Sequence, residues 1–210
     1  MTRILIVDDH EVVRRGLEQI LAEGFGEPRF GSAATAPAAL DRLSRETWDL
    51  LLLDVNLPGR GGLELLEEVR ERWPRLPVLV VSAYPEEEFA VRSIRLGAAG
   101  YVTKDSASDE LVTAARRVLE GRRYLTATLA ERLAAVLGGD DGHDPLELLS
   151  SRELQVLRLV ASARTLREIA GELHLSEKTI ATYRARISQK LGVGSSVELT
   201  RYALRHGLVQ

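Results

Sequence analysis

The chain of 210 residues has no cysteine, one methionine and few aromatics, 5% of the total. Without cysteine there can be no disulfides, no thiol catalysis and no thiolate metal sites. Its four histidines are scattered, which leaves no zinc-ligand spacing. Long hydrophobic runs are missing as well. The best candidate breaks at Asp54, well short of the roughly 18 apolar residues that span a bilayer. The opening MTRILIVDDH places two acids directly after a short apolar run, which is no secretory leader. What is present is ordinary: 45% hydrophobic and 28% charged residues, the balance of a folded, soluble, cytoplasmic protein of one or two domains.

The net charge of −3 hides an asymmetry. From Ser150 to Gln210 there are ten Lys and Arg against five Asp and Glu, which leaves 18 basic and 26 acidic residues in the rest of the chain. An acidic front joined to a basic tail predicts two domains with different partners, the tail facing nucleic acid.

Up to residue 122, short apolar runs alternate with amphipathic stretches. The runs are Ile4–Val7, Arg29–Ala33, Leu50–Leu53, Val78–Val81 and Gly100–Val102; the helical patterns span roughly His10–Glu23, Pro37–Arg45, Gly62–Arg72, Glu86–Leu96 and Asp109–Glu120. Leu63, Leu66, Val69 and Arg70 predict one buried stripe, and Pro85 suits a first helical position with Gly97 as the stop. Five strands alternating with five helices predict an α/β fold, a doubly wound parallel sheet. Runs such as LLLL and VLVV fit strands buried on both faces. A linker over 123–147 follows, with a helix near Thr126–Leu137 and the acidic segment GGDDGHDP. From 148 to 210 the pattern is all-α, four short helices. Ser150-x-x-Glu153 and Thr165-x-x-Glu168 are capping-box patterns, and Ser176 is a third N-cap.

Asp8 and Asp9 follow the first strand and Asp54 follows the third. In a sheet of order 2-1-3-4-5 these strands are neighbours, so all three acids meet at the carboxyl rim where ligands bind. Like charges a few ångströms apart repel by about 4 kcal/mol per pair at an effective dielectric near 20, so the site must protonate or recruit a cation. An oxygen-only donor set points to Mg2+. Ser82 ends the fourth strand and Lys104 lies just past the fifth. A carboxylate nucleophile, a metal, a hydroxyl and an ammonium suit phosphoryl transfer to Asp54.

The stretches ILIVDDH, LLLDVNLPGRGGLELL, VLVVSA and GAAGYVTKD resemble the flavodoxin-like receiver domain of two-component response regulators. The resemblance implies that Asp54 is the phospho-acceptor and that Asp8, Asp9, Asp54 and the Asn56 main-chain carbonyl hold Mg2+, Asp8 mainly through water. It implies phosphate-binding and switch roles for Ser82, Ala83, Tyr101 and Lys104, with Tyr101 turning inward on activation. Pro58, Gly59 and Gly62 match the turn that shapes the pocket. It further implies a sensor histidine kinase as partner, with the receiver catalysing only its own phosphoryl transfer and slow dephosphorylation. Asp105 stands where many receivers have proline.

In the tail, helix, short turn and helix follow one another from Glu168 to Leu191. From Lys178 to Leu191 there are four basic residues and no acid, and Ile180, Tyr183, Ile187 and Leu191 form an apolar stripe. A basic-faced helix after a tight turn fits a DNA major groove. The tail is similar over its length to the LuxR-type helix-turn-helix domain of NarL/FixJ-family regulators, carried by Arg152-Glu153, Glu168-Ile169-Ala170, Ser176, Thr179 and Lys190-Leu191. That resemblance implies binding of double-stranded promoter DNA as a homodimer formed on activation. Base contacts fall to Lys178, Thr179, Thr182 and Arg186 and phosphate contacts to Arg184 and Lys190, and Val197, Leu199 and Tyr202 of the last helix offer either a dimer surface or plain core. Ala163 replaces the family's usual glycine, and Tyr183 its usual histidine. A phosphatase of the haloacid-dehalogenase type needs a second acid two residues after its nucleophile. Asp8 leads to His10 and Asp54 to Asn56, so that pattern fails.

Overall fold

The computed structural model describes residues 1–58, 61–106, 108–137, 149–173, 175–206 and 208–209. The chain divides into two compact units, Met1–Asp141 and Gly142–Gln210. Gly59, the segment Gly138–Pro145 and Gly207 lie outside the described residues.

The first unit is built on five parallel strands in the order β2-β1-β3-β4-β5. They are β1 (Arg3–Val7), β2 (Arg29–Ala33), β3 (Leu50–Leu53), β4 (Val78–Ser82) and β5 (Gly100–Thr103). The helices are α1 (Glu11–Phe25), α2 (Ala36–Arg45), α3 (Gly62–Arg72), α4 (Glu86–Arg95), α5 (Ser108–Leu119) and α6 (Ala127–Leu137). Strand side chains alternate between the faces. Ile4, Ile6, Leu50, Leu52, Leu79, Val81 and Val102 pack with Leu17 and Leu21 of α1 and Leu111, Ala114, Ala115 and Val118 of α5. The intervening residues Leu5, Val7, Leu51, Leu53, Val78 and Val80 are equally buried. A sheet covered on both sides needs apolar residues at every position, which is why these strands read as unbroken runs rather than alternations.

Element ends follow local chemistry. Thr35 caps α2 by accepting from Ala38 N, with proline in the first turn. Pro85 is not the first helical residue but the N-cap, with ψ at 150°; its missing N–H costs nothing there, because no intrahelical partner exists for it. The stripe of α3 is wider than four-residue spacing predicts. Leu65 is buried along with Leu63, Leu66 and Val69, while Arg70 is half-exposed.

In the second unit α7 (Ser151–Ala161), α8 (Leu166–Glu172), α9 (Glu177–Leu191) and α10 (Ser196–Arg205) surround Leu154, Leu157, Ile169, Ile180, Ile187, Leu199 and Ala203. The boxes at Ser150–Glu153 and Thr165–Glu168 are closed reciprocally, and Ser176 caps α9 by accepting from Thr179 N. A further box, Ser195–Glu198, opens α10. Ala163 has φ of 59°, the left-handed region that favours glycine.

Candidate functional site

Strand register builds the first site. Val7 is paired with Leu53, and Ser82 with Thr103. The residues that leave these strands are therefore side by side: Asp54 N donates to Val7 O at 2.8 Å and Lys104 N to Ser82 O at 2.7 Å. The carboxylates of Asp8 and Asp54 are buried, each side chain 2% exposed. Between them lies the Lys104 ammonium, 2.6 Å from Asp8 Oδ2 and 2.7 Å from Asp54 Oδ2. Burial pushes the Asp54 carboxyl above its ordinary proton affinity, and the ammonium offsets this only in part. Burial alone would lower Lys104; the charges of Asp54 and Asp8 outweigh it, and its pKa is raised.

The remaining pocket residues fall around this core. Asn56 N donates to Asp54 Oδ1 at 3.1 Å, which fixes the turn after β3. Gly62 closes that turn: a Cβ there would lie 2.0 Å from Asp54 O and 2.8 Å from Val55 Cα. Asp9 is on the exposed rim. His10, which sequence reasoning passed over, joins it, with Nδ1 2.7 Å from Asp9 Oδ1 and 3.5 Å from Asp8 Oδ1. Asp8, Asp9 and His10 offer ligand atoms within 4.8 Å of one another. His10 thus sets a nitrogen beside the oxygen donors of the rim. α1 begins at Glu11, so His10 stays extended as its N-cap and its ring turns back to the acids. Arg14 also reaches the rim, donating to Asp8 O at 2.7 Å. The predominantly hard donor set fits a magnesium ion, as does the excess of negative charge where one ammonium serves two buried carboxylates. The Lys104–Asp105 bond is trans, as is every described peptide bond.

Ser82 is fully buried, and its Oγ accepts from Tyr84 N at 3.1 Å. Ala83 is exposed. Tyr101 is expected to swing inward on activation, yet the structure has it buried, 1% exposed, its hydroxyl donating to Tyr84 O at 2.9 Å. It lies on the sheet face opposite α1 and α5, where packing against α4 fills the space.

The second site is the outward face of α9. Lys178, Thr182 and Arg186 recur every four residues and are exposed; Thr179 and Arg184 flank them, partly buried. Two hydroxyls are engaged: Thr182 donates to Lys178 O at 2.9 Å, and Thr179 shares a 2.8 Å hydrogen bond with Ser176 at the cap. Lys190 does not belong to this face. It follows Tyr183 and Ile187 on the inward stripe, and its ammonium is 2.6 Å from Glu153 Oε2, a carboxylate 4% exposed. Burial would raise Glu153, but Lys190 and the Ser150 cap outweigh it and hold its pKa below the usual range. Arg152, also buried, donates to Leu173 O at 2.9 Å and so pins the turn between α8 and α9. On the last helix the core alternative holds for two of the three residues. Leu199 and Tyr202 are 1% and 8% exposed because this face of α10 packs on α7; only Val197 is open, with Leu204 one face-repeat further on.

A phosphoryl-type pocket on a parallel sheet, followed by a helix-turn-helix with a basic face, defines a DNA-binding response regulator. A family model of the response regulator receiver domain matches residues 4–116, and one of the bacterial regulatory proteins of the luxR family matches residues 147–203. The chain belongs to the NarL/FixJ family of response regulators. It is 40% identical over 211 residues to response regulator GacA of Pseudomonas aeruginosa, covering 100% of this chain and 98% of that protein. It is 34% identical over 209 residues to response regulator UvrY of Escherichia coli, covering 99% and 96%. Among solved structures it is similar to RcsB of Salmonella enterica serovar Typhimurium, bound to promoter DNA in the presence of a phosphomimetic beryllofluoride. The TM-score is 0.59 at 25% identity, over 96% of this chain and 97% of that one. Among the described residues no helix is long and apolar enough to cross a membrane.

Proposed function

We infer that the chain is a transcription regulator switched by phosphorylation at Asp54. A sensor histidine kinase supplies the phosphoryl group. An Asp54 carboxylate oxygen forms the new P–O bond as the donor's P–N bond breaks, and the histidine nitrogen keeps the electron pair. Asp8, Asp9, Asp54 and the Asn56 main-chain carbonyl would hold Mg2+, which when bound neutralises charge on the transferring group. Lys104 gives up Asp54 for a phosphoryl oxygen, and the Ser82 hydroxyl, free to donate, takes another. Tyr101 is paired with Ser82 in the switch, through the Tyr84 carbonyl that its hydroxyl holds.

The second unit reads promoter DNA with Lys178, Thr179, Thr182 and Arg186 toward base edges and Arg184 toward phosphate. Lys190, already paired with Glu153, is not proposed among these contacts. Activation favours a homodimer on paired half-sites, with Val197 the one residue of the expected surface that is open to a partner. Such coupling is typically worth about 1–3 kcal/mol, a bias rather than an absolute gate.

The observation that carries this reading is one ammonium, half-buried, shared at 2.6 and 2.7 Å by two buried carboxylates at adjoining strand ends. Incubation with acetyl phosphate, with and without Mg2+, followed by a Phos-tag gel, tests it. A shifted band is expected for wild type with Mg2+ only. An undiminished band in Asp54→Asn would remove the assignment.

A further inference from the structure

We propose that Thr126 is a latch by which the loop after β4 holds α6 on the first unit, and that filling the Asp54 pocket releases it. Only the trigger rests on the reading of Asp54 given above; the latch itself stands on contacts outside the pocket.

Tyr84 is the junction. Its N–H donates to Ser82 Oγ, its carbonyl accepts from the buried Tyr101 hydroxyl, and its ring lies 4.8 Å from that of Phe89. Two residues on, Glu86 opens α4, and its carboxylate accepts from Thr126 Oγ1 at 2.6 Å. The same oxygen accepts from Leu129 N at 3.1 Å. One hydroxyl therefore caps α6 and ties it to α4. The tie sits beside a single deep anchor: among the described side chains of α6, Leu129 alone is buried. The root just upstream is firm. Tyr124 forms a parallel bridge with Gly100, its N–H donates to Ala99 O at 2.9 Å, and its hydroxyl donates to Glu110 Oε1 at 2.9 Å. α6 thus follows a fixed anchor, and Thr126 joins its first turn to α4.

The coupling is mechanical. A Ser82 hydroxyl that donates to a phosphoryl oxygen keeps its lone pair for Tyr84 N, so drawing Ser82 toward Asp54 brings Tyr84 with it. The first turn of α4 follows and the Glu86–Thr126 contact lengthens. Losing that contact disturbs the cap as well, because both use Thr126 Oγ1. α6 is the last described element of the first unit before the second begins. Its order is then a readout of pocket occupancy.

Hydrogen exchange of the amides of residues 127–134 in the full chain tests this in wild type, Thr126→Val, Glu86→Ala and the double variant. Glu86→Ala should speed exchange about tenfold, the scale of one charge-assisted hydrogen bond, and Thr126→Val, which also removes the cap, by more, with strand amides unchanged. The double should do no more than Thr126→Val alone; additive effects would overturn the latch. Glu86→Ala leaves the Thr126 cap in place and so isolates the tie from the cap. Beryllofluoride with Mg2+ is then added, its binding at Asp54 followed by fluorine NMR. Bound beryllofluoride should speed α6 exchange in wild type and add nothing in Glu86→Ala. Binding that leaves wild-type α6 unchanged would overturn the release. A failure of beryllofluoride to bind counts against the Asp54 reading instead, and the mutant cycle still decides the latch.

Discussion

Replacing Asp54 by Asn should make the first unit more stable when metal is chelated, although it removes half of a buried ion pair. The two Oδ2 atoms flanking Lys104 can be no more than about 5.3 Å apart, the sum of their contacts to the ammonium. At an effective dielectric near 20 their repulsion is about 3 kcal/mol, against an attraction of about 6 kcal/mol from Lys104. The remaining gain of about 3 kcal/mol has to cover the desolvation of a buried carboxylate, itself several kcal/mol. The raised pKa of Asp54 says that it falls short. Asn keeps the shape but offers one acceptor where the carboxylate offered two, so it serves either Lys104 or Asn56 N; Lys104 retains Asp8, so no ammonium is stranded. A small gain follows, the relief of carboxylate desolvation less one lost hydrogen bond, read as a rise in the unfolding midpoint. Both tryptophans, Trp48 and Trp73, lie in the first unit, so urea unfolding followed by tryptophan fluorescence isolates it from the second. The pH dependence has a definite sign. A carboxyl raised in the folded state gains stability as it protonates, so the variant's advantage is full above Asp54's folded pKa. It shrinks as pH falls and vanishes below the unfolded value of about 3.9. Saturating Mg2+ should reverse the order by stabilising wild type, about 2.7 kcal/mol at a hundredfold excess over Kd. A loss of stability in the chelated variant, or a gap that does not change with pH, would refute this account of the pocket.

Lys104→Met leaves Asp8 and Asp54 facing each other without a counter-charge, and should cost about 2–3 kcal/mol in chelator, with most of it restored by Mg2+ in the same unfolding assay. Ala163→Gly relieves a left-handed alanine, and calorimetry should show the second unit stabilised by about 0.5–1 kcal/mol. Glu153→Gln should cost the second unit about 2 kcal/mol at neutral pH. Because Glu153 is held below the usual range, its contribution is present above the unfolded value of about 4.3 and is lost as pH falls through the folded one. The two proteins should therefore converge in acid when unfolding is followed by circular dichroism. In DNA binding, three cations on the face of α9 predict a salt slope near −3 per subunit. Arg186→Ala should reduce that slope by about one in a fluorescence-anisotropy titration, and Lys190→Gln should leave it nearly unchanged.

The sheet was legible because its strands are covered on both sides, which writes their burial directly into runs such as Leu50–Leu53. The pocket followed from that sheet, since strand order and register alone bring Asp8, Asp54, Ser82 and Lys104 to one rim. Side-chain choices made across long sequence separations were not legible. Lys190 meets Glu153 over 37 residues and Thr126 meets Glu86 over 40, and periodicity carries no trace of either. Amphipathic spacing in α10 likewise marks an apolar face without saying what covers it, and α7 proved to be the cover for Leu199 and Tyr202. His10 was missed for a local reason: the helix pattern beginning there hid an extended cap residue whose ring is available to the acids.

The clamping of α9 at both ends bears on how promoters are told apart. Ser176 fastens its start, and the Glu153–Lys190 pair fastens its finish to α7. A probe held so stiffly cannot bend to suit a poor operator, so the burden of adaptation falls on the duplex. Promoters with easily widened or kinked steps would then be favoured even where no side chain touches them.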